Sequence, residues 1–305
     1  TPSAPQWCLK YLHLSVPADG YTLGGNWTAE GCQPGGLRLR RPGVYEEEVA
    51  FAYPGRWTGH LSQSDREYGF YFEMILAADG TGTSHIVSEG AGGEAVHDLR
   101  WQENADGLSV TEYQVQERTD PDWKWCLKSL ELVLARKDEQ HQLTGDWEGY
   151  LEDKDPTTGA CAPGRLFLSK PVLTRTVIEE ITPQTSQYTE STGREVQVDR
   201  VLRVRSESLR IKVWDNGIVD GDIVTLFLNG ERIVEQYRVS KRKWSIPVDV
   251  HAGENLLILH AEDLGDISPN TVAVSIDDGV EEQVIILSSN LAESGAILIQ
   301  PFIVD

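Results

Sequence analysis

Apolar and polar residues alternate with a period of two over most of this chain. Tyr68, Phe70, Phe72 and Met74 alternate with Glu67, Gly69, Tyr71 and Glu73, and the run from Leu108 to Gln116 alternates after Asp106-Gly107. That period predicts half-buried strands. Turn signals such as Asp79-Gly80-Thr81-Gly82 punctuate the runs at spacings of about ten residues, the texture of an antiparallel meander. No amphipathic helix longer than about three turns stands out.

One stretch of this pattern occurs twice. Trp7-Cys8-Leu9-Lys10, followed by Leu12 and Leu14, returns as Trp125-Cys126-Leu127-Lys128, followed by Leu130 and Leu132. Leu23-Gly24-Gly25-Asn26-Trp27 is matched by Leu143-Thr144-Gly145-Asp146-Trp147, and each copy ends on a cysteine, a Pro-Gly and a short alternating run. The repeat holds all four cysteines, Cys8, Cys32, Cys126 and Cys161. Four cysteines allow three pairings. The repeat favours one bridge inside each copy, Cys8 with Cys32 and Cys126 with Cys161, with a crossed pairing left open. No two cysteines lie close enough for a zinc knuckle.

These signals divide the chain into residues 1–50, a partial repeat; 51–172, a barrel or twisted sandwich; 173–195, a linker of Thr/Ser/Gln composition; and 196–305, a sandwich. The fold class is all-β. Gly55-Arg56-Trp57-Thr58-Gly59 and Gly145-Asp146-Trp147-Glu148-Gly149 share G-x-W-x-G, in which a Trp can plug a barrel end. With its meander, residues 51–172 resemble a small lipocalin-like barrel. Residues 1–50 read as the closing strands of such a unit without its opening strands. Three strands bury too little surface to stand alone, so this segment is expected to pack on the barrel or on another subunit.

In the last third, Leu209–Trp214 and Ile223–Leu228 read as strands, and Asn229-Gly230 marks a hairpin turn. About seven strands fit an Ig-like two-sheet sandwich. The strings Val213-Trp214-Asp215-Asn216-Gly217, Asp220-Gly221-Asp222 and Leu228-Asn229-Gly230 resemble a β-sandwich domain common at the C-terminal end of secreted bacteroidete-type bacterial proteins. That resemblance implies a non-catalytic, exported module.

A net charge of −21 argues against binding to nucleic acid or an anionic membrane surface. No apolar run approaches the ~20 residues that cross a bilayer. The start at Thr1 without Met fits a mature chain, and two disulfides imply an oxidising compartment. The expected location is therefore extracellular or on a cell surface.

Candidate chemistry is sparse. The sequence has no H-E-x-x-H, Walker loop or G-x-S-x-G elbow, so no catalytic residue is assigned. Asp215, Asn216, Asp220 and Asp222 are candidate calcium ligands, set against a simple Asx turn. His60, His85 and His97 all fall in the barrel region. Glu67 and Glu73 lie roughly 20 Å apart along one strand, too far for a glycosidase pair, and read as a solvated face. Trp101 and Trp123, the latter sharing a strand face with Trp125, are candidate sugar-stacking residues. Leu9, Leu12 and Leu14 at one end and Ile297, Ile299, Phe302 and Ile303 at the other read as edges for assembly. The leading expectation is a non-catalytic, self-associating subunit of a fibre or surface layer. A carbohydrate-binding or adhesion module for surface polysaccharide is the alternative. No cofactor is expected beyond calcium.

Overall fold

The computed structural model describes residues 8–15, 22–40, 51–67, 69–88, 92–137, 140–215, 219, 221–263 and 270–302. Trp7, Tyr68, Asn216, Asp220 and Ile303 lie outside them. The chain is all-β, with one helix among the described residues.

The leading segment forms β1 (Tyr11–Ser15), β2 (Thr22–Thr28) and β3 (Gly35–Arg40), a separate three-stranded antiparallel sheet. Next come β4 (Gly55–Leu61), β5 (Phe70–Leu76), β6 (Thr81–Ser88), β7 (Gly93–Glu103), β8 (Gly107–Arg118), β9 (Cys126–Lys137), β10 (Gln140–Leu151) and β11 (Gly164–Pro171). They close into an eight-stranded barrel, with β11 returning to pair with β4. Closure leaves the barrel ladder no edge for the leading strands to join. Alternation carries through: Phe72, Met74, Leu99, Leu130, Leu132, Leu143 and Leu168 fill the interior. Trp57 is fully buried at one end, its Nε1 donating to the Tyr53 carbonyl at 2.8 Å.

Residues 175–192, expected as linker, form the helix α1 (Arg175–Thr192). The Thr174 hydroxyl caps its N-terminus by accepting from the Val177 amide, and Gly193 ends it with a left-handed φ of 71°. The apolar stripe is sparse: Val177, Ile181 and Tyr188 pack on Val198, Val201, Leu256, Ile258 and Leu298 of the last domain. Polar residues and Pro183 between those anchors hide the helical period. Tertiary packing rather than propensity holds this helix.

The last domain comprises β12 (Glu195–Val204), β13 (Ser208–Trp214), β14 (Ile223–Leu228), β15 (Glu231–Arg238), β16 (Trp244–Asp249), β17 (Asn255–Ala261), β18 (Asn270–Asp277), β19 (Glu282–Ser289) and β20 (Glu293–Pro301). Asn229 and Gly230 both take positive φ, 53° and 82°, as a type I′ hairpin between β14 and β15 requires. The strands form one curled nine-stranded sheet. Only Ser289↔Ser294 joins β19 to β20, so two wings pack face to face as a sandwich over one core.

β20 is not an edge. It lies between β17, β12 and β19, and Ile297 and Ile299 are fully buried. The expectation that this terminal strand offers an assembly edge is thereby corrected. A long apolar run here marks a central strand covered on both faces. Phe302 instead packs against Gly36 of β3.

The barrel meets the sandwich through buried polar groups. A β-bulge between Val198 and Arg200 accompanies Asp199. Its carbonyl accepts from the Ser169 hydroxyl at 2.9 Å. Arg56 bridges Glu73 of the barrel and Glu293 of the sandwich at 2.5 and 2.8 Å. Tyr71, Val87 and Ile286 form an apolar patch beside them. Glu73 is therefore buried against the second domain, where the sequence reading placed it on a solvated face. The covering domain, invisible to strand periodicity, is the reason.

Candidate functional site

The barrel end opposite Trp57 is open. A cavity of about 250 Å³ lies there, walled by Leu61, Phe70, Ile86, Trp123, Trp125, Trp147 and the Cys126–Cys161 disulfide. Gln63, Arg66, Ser88 and Lys124 also line it, and Lys128 reaches it from within. The local sequence builds this mouth. Trp123 and Trp125 lie in the approach to β9, and Gly164 leaves space for the Trp147 indole, whose Nε1 donates to the Ser62 carbonyl at 2.8 Å. The disulfide ties the start of β9 to the approach to β11. Trp125 is buried, and its Nε1 has no hydrogen-bond partner.

Next to the cavity the barrel interior holds charge. Lys128 and Glu112 are both buried and pair at 2.9 Å. Glu112 also accepts from the Lys128 amide at 2.9 Å and from the Ser84 hydroxyl at 2.5 Å. Burial opposes the Glu112 charge, but Lys128 and the Ser84 hydrogen bond hold its carboxyl below the ordinary range. His97 is fully buried with its ring edge-on to Trp125 at 6.1 Å, and neither ring nitrogen has a hydrogen-bond partner. Burial, then the Lys128 charge, lowers its pKa to about 4, so it is neutral at physiological pH. Glu112 and Lys128 are mutually saturated. What this end of the barrel presents to a ligand is shape, aromatic surface and a few cations.

Sequence reasoning missed Ser84, Glu112 and Lys128 as a group. The signal was present: Lys128 shares its face with Leu130 and Leu132, and Glu112 shares its face with Leu108 and Val110. A charge at an inward position on each of two paired strands implies an internal ion pair.

The other candidates separate. Trp123 lines the cavity, but Trp101 lies at the Trp57 end, its Nε1 donating to the carbonyls of Ala77 and Thr81. The two Trp residues therefore do not share a surface, because β7 carries Trp101 away from Gly93, the end beside Trp123. His97 points inward, whereas His85 pairs with Glu94 at 2.8 Å and His60 stacks on Phe167 facing Arg200. Asp215 is buried with Lys241 at 3.4 Å, and Asp222 is buried. Among the described residues no three His, Cys, Asp or Glu side chains gather as a metal site. Both disulfides pair within their own copy, Cys8–Cys32 and Cys126–Cys161, which points to an oxidising environment. No helix among the described residues is long and apolar enough to cross a membrane. No family model, no curated protein and no solved structure matches this chain.

Proposed function

We propose that this chain is a non-catalytic, exported binding protein whose barrel takes a small, largely apolar molecule in its open mouth. The observation that carries the reading is the cavity framed by Trp123, Trp125 and Trp147 at the one barrel end that Trp57 does not close. Barrel mouths are a common place for small ligands. At about 250 Å³ the space is below that of a drug-sized pocket and suits one ring or a short acyl chain. Arg66 and Lys124 among its lining residues favour an anionic end on that ligand. A narrow apolar slot fits a polysaccharide less well, because sugar hydroxyls need many polar partners. Self-association through the C-terminal strand loses its support with the burial of Ile297 and Ile299.

The test is titration of the intact protein with octanoate and with octanol, followed by Trp fluorescence and thermal shift. Saturable binding is expected, tighter for octanoate and lost in Ile86→Trp, which fills the cavity. Absence of saturable binding for both probes, or equal binding by the filled variant, overturns the reading.

A further inference from the structure

The leading sheet repeats β9–β11 in register as well as in sequence. Leu12 faces Trp27 and Leu14 faces Gly25, as Leu130 faces Trp147 and Leu132 faces Gly145. On the other side Trp27 faces Gly35 and Gly25 faces Leu37, as Trp147 faces Gly164 and Gly145 faces Leu166. The close approaches repeat too. A Cβ on Gly25 would lie 2.0 Å from the His13 carbonyl oxygen, and one on Gly145 would lie 1.9 Å from that of Glu131.

In the barrel, β8 and β4 close the two outer edges of this unit. In the leading sheet, the outer edges of β1 and β3 pair with no described strand. The apolar face that β4–β8 cover in one copy is less covered in the other, where Leu14, Trp27 and Leu37 are half-buried. Leu12 is 50 % exposed against 1 % for Leu130, and Leu23 is 37 % exposed against 0 % for Leu143. The charge is open as well. Lys10 stands where Lys128 stands, but Lys128 has Glu112 of β8 and the Phe72 ring of β5 around it. Lys10 is exposed and lies over Trp27 of its own sheet, 4.9 Å from the ring centroid. Phe302 touches the sheet at Gly36, whose counterpart Arg165 points out of the barrel, so this contact falls on the face opposite the one that carries Leu12.

We propose that β1–β3 are the closing strands of a second barrel. A partner completes it by supplying a five-stranded antiparallel meander built like β4–β8, with a carboxylate that is buried against Lys10. A second copy of this chain is a poor donor, because its own β4–β8 are locked in a closed barrel. This inference does not depend on the ligand reading of the intact barrel.

The test puts a second copy of residues 51–124 in place of residues 1–6, joined to Trp7 as Trp125 follows residue 124, with the rest of the chain intact. The added strands stand in for the partner. Amide hydrogen exchange in β1–β3 is expected to slow by about a hundredfold or more, and Lys10 should lose its reactivity towards an amine-labelling reagent. Glu112→Gln in the added copy alone should restore that reactivity. Three results overturn the proposal: an extension that leaves β1–β3 exchange unchanged, Lys10 still shielded after Glu112→Gln, or an unmodified chain already dimeric with β1–β3 protected. The last assigns the sheet to a second copy instead.

Discussion

β9–β11 and β1–β3 carry one pattern twice and place it in opposite surroundings. Strand register, disulfide placement and the glycine beneath a facing carbonyl are the same in both. Leu130 and Lys128 are nevertheless sealed in a core, while Leu12 and Lys10 are exposed on the matching face. Register and bridging are thus local properties, set by a short pattern and its turns. Burial is a property of the neighbours, here β4 and β8. The same residue therefore carries different free energies in the two copies, and substitutions at matched positions measure the difference.

The largest contrast is expected at the matched lysines. Lys128→Met leaves Glu112 charged and buried without its ammonium partner. Breaking a buried pair from one side costs ~3–5 kcal/mol, read as a lower urea midpoint for barrel unfolding. Lys10→Met at the matched exposed position should stay within about 0.5 kcal/mol. Equal effects would mean that the Lys128–Glu112 pair contributes nothing beyond packing.

The barrel's outer wall gives the next contrast, because it is covered by the sandwich. Burial raises the Asp199 pKa to about 7, with Glu73 and Glu293 pushing the same way and Arg56 opposing. An unfolded aspartate titrates near 3.8. The folded state thus holds a proton that the unfolded chain releases between those values. The resulting stability is complete below pH 3.8 and is lost as pH rises through about 7. Asp199→Asn should match the parent at pH 4 and exceed it at pH 8 by roughly 3–4 kcal/mol, at about 1.4 kcal/mol per pKa unit. His60 and His97, both lowered to about 4 by burial, tilt the curve the other way below pH 6.5. They are common to both proteins, so the difference between the two urea-midpoint profiles isolates Asp199. A pH-independent difference would show that Arg56 keeps Asp199 ionised.

Much of this architecture is legible in the sequence. Alternation from Phe70 to Met74 and the Asn229-Gly230 turn specify strands and a hairpin through local rules, and the duplicated cysteines favour one bridge per copy while leaving a crossed pairing open. What depends on a distant partner was not legible. Glu73 alternates like a solvent residue and is buried where β5 meets the sandwich, beside Arg56. Ile297 and Ile299 look like a sticky terminus and lie mid-sheet. Val177, Ile181 and Tyr188 become a helical stripe only when the sandwich is there to receive them. The cavity was half legible: Trp123, Trp125 and Trp147 were visible as aromatics, but their convergence needs barrel closure.

The smallest effect in this series tests the apolar part of the comparison alone. Leu130 lies inside the barrel against Trp147 across the ladder, and Leu12 lies against Trp27 in the same register. Leu130→Ala removes buried methyl groups from a packed interior, at a cost of roughly 3 kcal/mol. Leu12→Ala should change stability by less than about 0.5 kcal/mol, since half of that side chain is already in water. Urea midpoints of the two variants give the comparison directly. In the chain extended by a second copy of residues 51–124, Leu12→Ala should rise towards the Leu130→Ala value. The two substitutions then become equivalent, because the added strands supply the neighbours that separate the copies. If Leu12→Ala is already as costly in the unextended chain, the leading sheet has a covered core of its own, and the contrast between the two copies fails.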